Sequence, residues 1–202
     1  MSQRTEDLDE LAAQRGWVYT DGEQDLADRY AGSPFGQGWG PKIGESVVGE
    51  FRGRPFVTYE YAYHTTSSFG TGSSTSTHRL TVTAMTAPGA GAELQIARRG
   101  IKQRVLSLFG KRDLPVGDAS FDRAFVVRTG ASTGAEEFAR TVLDPGVRSW
   151  PAESYRRPLR FTGNEILAWQ SGKPKAADVV ATLDHLAGLV ERIPGHAWRS
   201  PG

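Results

Sequence analysis

Residues 56–64, FVTYEYAYH, alternate without a break. Val57, Tyr59, Tyr61 and Tyr63 fall on one face of an extended chain, and Phe56, Thr58, Glu60, Ala62 and His64 on the other. A period of two excludes a helix here and requires neighbouring strands to take up the backbone hydrogen bonds. Those neighbours are close in sequence. Residues 46–52 lead in through Arg52-Gly53-Arg54, and residues 78–86 return with Leu80, Val82 and Ala84 on one face. Pro55 suits a strand start or an edge position. A tyrosine row of this kind offers a stacking platform for bases or sugars, but a buried sheet face is the favoured reading.

The same logic carries along the chain. Asp7 and Glu10 have capping-box spacing, and Leu8, Leu11 and Ala12 form a stripe, which predicts a helix over residues 7–15. A short second helix is expected from Asp21, and residues 32–44, GSPFGQGWGPKIG, read as a loop. Strands are expected at 93–97 and 124–128, and helices at 101–109 and 133–143. Gly163-Asn164, between apolar runs at 159–162 and 165–171, is a two-residue turn signal and predicts a second hairpin. Val179, Leu183, Leu186, Val190 and Ile193 recur at spacings of four and three, so residues 175–192 should be a helix lying on the sheet. Hairpins outnumber crossover units. The expected fold class is therefore α+β, a mainly antiparallel sheet built from hairpins with helices packed on one face.

The chain has 202 residues, the upper end of an ordinary domain, and a single globular domain over 1–202 is expected. Within it, residues 65–77, TTSSFGTGSSTST, read as a flexible hairpin loop, and 195–202 as a loose tail. There is no cysteine, which excludes disulfides, thiolate nucleophiles and cysteine-type zinc sites. The opening MSQRTEDLDE lacks the basic and apolar regions of a signal peptide, and no run of 18 apolar residues occurs, so the expected location is the cytoplasm.

Charge is unevenly spread although the formal net charge is only +1. Residues 1–30 carry eight acids against three arginines. Residues 98–112 carry Arg98, Arg99, Lys102, Arg104, Lys111 and Arg112 with no acid. That basic stretch suits an anionic membrane surface or nucleic acid, or else the solvated outer face of a helix.

Catalytic and metal motifs are sparse. His64 and His78 flank the 65–77 segment, with Glu60 one same-face step from His64, but two histidines make a weak metal set. The serines of 65–77 have no Gly-x-Ser-x-Gly elbow around them. Asp184 and His185 are adjacent on a helix and so project about 100° apart. Gly36, Gly38 and Gly40 neither follow an expected strand nor open a helix, unlike a phosphate loop. No cofactor and no metal are expected.

The segments FRGRP at 51–55, STHRLTV at 76–82, FDRAFVVR at 121–128, LDP at 143–145 and LAGLVERIP at 186–194 together resemble an uncharacterised actinobacterial protein family of unknown function. The resemblance spans residues 11–194 and implies no activity, substrate or site residue. Some relatives carry membrane segments ahead of this domain.

Three functional expectations follow. The first is a non-catalytic protein-binding or regulatory module, with another protein as partner and Phe69 as an aromatic anchor on a polar arm. The second is peripheral attachment to an anionic membrane or nucleic acid through the basic stretch. The third is an enzyme whose site assembles only in three dimensions.

Overall fold

The computed structural model describes residues 3–70, 72–100, 113–149 and 157–198. Helix α1 (Gln3–Arg15) leads into a short edge strand β1 (Val18–Asp21), then β2 (Trp39–Phe51), β3 (Arg54–Phe69) and the very long β4 (Gly72–Arg98). After it come α2 (Ala119–Ala124), β5 (Phe125–Thr129), α3 (Ala135–Val142), α4 (Pro145–Arg148), β6 (Leu159–Ser171) and α5 (Ala176–Arg192). All the pairings are antiparallel, in the order β1-β2-β3-β4-β5, with β6 on the other edge of β4. The fold is α+β, as the sequence pattern predicts.

The helices share one face. Leu8 and Ala12 of α1, Ala139 and Val142 of α3, and Val179, Leu183, Leu186 and Val190 of α5 enter one core with Phe56, Met85, Leu94, Phe161 and Ile166 of the sheet. The tyrosine row lies on the opposite face. Val57, Tyr59, Tyr61 and Tyr63 pack with Val82, Leu167 and Trp169 beneath Leu26, Ala27, Tyr30 and Phe35 of the β1–β2 connection. Polar ties hold that cover down: Tyr30 Oη donates to Glu165 Oε2 at 2.8 Å, Arg29 pairs with Glu165 at 2.7 Å, and Arg160 Nη1 donates to the Ala31 carbonyl at 2.7 Å.

Several expectations are corrected. Asp21 closes strand β1 instead of opening a helix, and only a 3-10 turn follows at Gln24–Leu26. Strand β2 begins at Trp39, inside the expected 32–44 loop. Residues 78–86 and 93–97 belong to one strand. Pro88 and Gly89, between the two expected strands, fall at a register shift against β6 between Thr86 and Gly91, where a proline is tolerated. Gly163-Asn164 is not a turn either. Both halves of β6 pair with β4, and Gly163 faces Gly91 in the same ladder. Gly91 has a packing reason to be glycine, because a Cβ there would sit 2.3 Å from the Phe138 ring of α3.

Two further differences concern the segments read as mobile. Residues 65–69 and 72–77 are paired strand, not loop, with Thr65 opposite Ser76 and Phe69 opposite Gly72. In the expected tail, Gly195–Trp198 form a 3-10 turn whose Ala197 and Trp198 are buried in the helix-side core. The helix expected at 101–109 lies outside the described residues.

Burial on α5 carries a pH dependence. His185 is pushed down to about 4, first by burial and then by the positive charge of Arg157. The unfolded chain therefore binds a proton that the folded chain refuses. Stability is expected to fall as pH drops from about 6.5 to about 4, at no more than about 1.4 kcal/mol per pH unit from this group. Urea titrations of the wild type and His185→Asn across that window should diverge toward acid, with the wild type losing more. Parallel curves would show that His185 is not buried as a neutral ring.

Candidate functional site: a polar cleft at the root of a projecting ribbon

The register defines the ribbon. Pairing of β2 with β3 stops at Trp39 opposite His64, and pairing of β6 with β4 starts at Ser171 opposite Leu80. Between those limits, β3 and β4 continue as a two-stranded arm to Phe69 and Gly72, with no third strand on either edge among the described residues. Ser and Thr dominate the arm, so neither of its faces supplies a core. At its root, two cross-strand bonds lock the register: His64 Nδ1 with Thr77 Oγ1 at 3.1 Å, and His78 Nε2 with Thr65 Oγ1 at 2.8 Å.

Those bonds also answer the metal question posed by the two histidines. His64 stands opposite Thr77 and His78 opposite Tyr63, so the rings occupy opposite faces of the ribbon and do not converge. His78 stacks on Tyr63 at 4.9 Å, and His64 lies against Trp39 at 4.8 Å. Trp39 is 54% exposed, an unusual position for so large an apolar side chain, and its Nε1 donates to Thr66 Oγ1 at 3.2 Å.

Beside this root lies a cleft of about 570 Å³, lined by Asp21, Lys42, Glu45, Glu60, Arg79 and Lys173 among others. Its floor is acidic and buried, Glu45 at 4% exposure and Glu60 at 2%. Lys173, in the turn between β6 and α5, reaches both: its Nζ is 3.3 Å from Glu60 Oε2 and 3.6 Å from Glu45 Oε1. Arg79, across the ladder from Ala62, binds Glu60 Oε1 from the solvent side. The turn bearing Lys173 is fixed by Gly172, whose N–H donates to the Arg79 carbonyl at 2.9 Å and whose carbonyl accepts from Thr81 Oγ1 at 2.9 Å. Gly44 gives Glu60 its room, since a Cβ at that position would meet Glu60 Oε2 at 2.6 Å. Close by on β1, burial and then the charges of Glu45, Asp21 and Asp9 push Tyr19 up to about 12.

The sequence-derived candidates divide. Phe69 is placed at the ribbon tip by its backbone pairing with Gly72. Arg98 lies over the Phe125 ring at 6.0 Å. Arg99 donates to the Asp122 carbonyl at 2.9 Å and pairs with Asp113 at 3.0 Å. Both arginines are therefore engaged by the chain itself. Lys102, Arg104, Lys111 and Arg112 lie outside the described residues. Sequence reasoning missed Glu45, Arg79 and Lys173, which come from separate segments with no shared motif. One signal was available at Glu60, a charged residue on a strand face otherwise carrying Phe56, Thr58 and Ala62.

No family model matches the chain, and no curated protein matches it. Among solved structures, its fold is similar to that of the mycobacterial trehalose monomycolate transport factor A. The TM-score is 0.63 at 14% identity, over 96% of this chain and 98% of that one. At that identity the likeness is one of fold.

Proposed function

We propose that the protein is a non-catalytic binding module that docks an extended segment of a partner protein along the β3–β4 ribbon. The observation that carries this is the state of the ribbon's edges. Natural sheets blunt exposed edges with charges, prolines or covering elements, because a bare edge recruits other strands. Residues 65–77 contain no charged residue and no proline, and among the described residues no further strand pairs with either edge. A two-stranded arm of this kind gains little stability for the fold. A strand added to it from a partner would satisfy its free backbone groups, with Phe69 at the tip as an anchor. The likeness in fold to a protein named a transport factor supports an accessory role.

The ribbon can be shortened with both histidine–threonine bonds at its root retained. Thr65 and Ser76 face each other, so replacing residues 66–75 with Asn-Gly closes a two-residue hairpin in register. The variant is expected to unfold within about 1 kcal/mol of the wild type, because the loss of an exposed arm touches no core contact. Quantitative affinity purification from the native cell should show the wild-type partner lost from the variant. Retention of every wild-type interactor on a folded variant would refute the docking role.

A further inference from the structure

We infer that the cleft at the ribbon root is a second, independent binding site, and that its ligand is a neutral polyhydroxylated molecule, a sugar. The volume of about 570 Å³ is that of a small-molecule site. The charge of the lining selects the class. Lys42, Arg79 and Lys173 stand against Asp21, Glu45 and Glu60, three cations against three anions. A free cation or anion entering such a site meets no net attraction. A sugar hydroxyl both donates and accepts, so a lining with abundant groups of both kinds suits a ring that carries several of them.

Burial makes the site more than a surface ion cluster. Glu45 and Glu60 are almost wholly removed from water, while Lys173 and Arg79 sit at the partly exposed rim. Taking carboxylates out of water costs several kcal/mol each, and replacing such groups by apolar ones is often neutral or stabilising. Stability therefore gives weak grounds for keeping them. As acceptors of ligand O–H groups they have a use, since hydrogen bonds to an ionised acceptor are the strong ones. The floor is also preorganised. Gly44 leaves the space that Glu60 occupies, and the Gly172 bonds fix the turn that presents Lys173.

Trp39 decides between a sugar and a small zwitterion such as an amino acid, which would equally match a balanced lining. Trp39 does not itself line the cleft, but its exposed indole lies against His64, which does, and offers a flat apolar surface one side chain beyond the wall. The C–H face of a sugar ring fits such a surface, and tryptophan serves where one side of a contact is apolar and the other wet.

The test is saturation-transfer NMR on the intact chain with glucose, galactose, maltose, cellobiose and sucrose, each at about 10 mM, well above a millimolar Kd. Glycine, lysine and inorganic phosphate serve as charged probes. At least one sugar is expected to receive saturation through its ring C–H protons and the charged probes none. Calorimetry should then show affinity reduced at least about tenfold by Trp39→Ala and by Glu60→Gln. Trp39 is exposed, so its variant stays informative if Glu60→Gln folds poorly. A milder shortening, Asn-Gly in place of residues 68–73 between the paired Ser67 and Ser74, removes Phe69 but keeps His64, Thr77, Arg79 and Thr66, the partner of Trp39 Nε1; it should bind the sugar as the wild type does, which separates this proposal from the docking role. No saturation of any sugar, preferential binding of a charged probe, or sugar binding indifferent to Trp39→Ala would each overturn it.

Discussion

Phe161→Ala is expected to lower the unfolding free energy by about 3–5 kcal/mol, among the largest losses any single change in this chain should produce. Phe161 is buried on the helix-side face of β6, opposite Leu94 of β4. Its ring meets Phe138 of α3 edge-on at 5.9 Å and stacks on Trp198 at 6.1 Å, while Phe138 and Trp198 contact each other at 6.3 Å. Three elements distant in sequence thus meet on one side chain. Truncation removes both the transfer free energy and the packing surface of two other rings, and α3 cannot simply settle, because Phe138 already sits over Gly91. Besides the stability loss in urea, the C-terminal 3-10 turn should become a site of early proteolysis. A loss below about 1 kcal/mol would show that the aromatic cluster is not part of the cooperative core.

Leu183→Ala should cost about 2–5 kcal/mol by the same cavity argument. Leu183 lies in the middle of α5 and is fully buried, between Val179 and Leu186 on the stripe that faces the sheet. Asp184, one residue on, reaches outward to Arg52 of the β2–β3 turn at 2.7 Å. Asp184→Ala is accordingly expected to cost at most about 1 kcal/mol, as exposed ion pairs do. The contrast between neighbours, measured by equilibrium denaturation, reports the rotational setting of the helix. Equal losses at the two positions would mean that α5 presents a different face.

The parts of this fold legible in sequence are those where burial on one face imposes a period. The β3 alternation and the α5 stripe are such cases, because a half-buried strand or helix must repeat its apolar positions at 2 or 3.6 residues. What escaped was governed by pairing partners, not by local composition. Pro88-Gly89 and Gly163-Asn164 are turn signals in isolation. In the fold they lie within β4 and β6, where one ladder runs through both and the irregularity is absorbed as a shift in register. The Ser/Thr-rich ribbon reads as a loop because it has no apolar face, yet its pairing is inherited from the inner hairpin, which sets the register for every residue beyond it. The cleft was least visible. Its floor joins Glu45 of β2 and Glu60 of β3 through a lysine more than a hundred positions away, and only the sheet brings them together. The basic stretch was plain in composition, but Arg98 and Arg99 are already occupied by Phe125, Asp113 and the Asp122 carbonyl.

The docking role rests on contact at the ribbon, and contact can be read position by position. A photo-crosslinking residue placed singly at Ser67 and Ser74, which pair across the ribbon, and at Glu137 on the exposed side of α3, would be irradiated in the native cell. The account predicts a discrete adduct with one partner protein from Ser67 and from Ser74, and none of that size from Glu137. Adducts from Glu137 alone, or no adduct from either ribbon position in a folded and expressed variant, would contradict it.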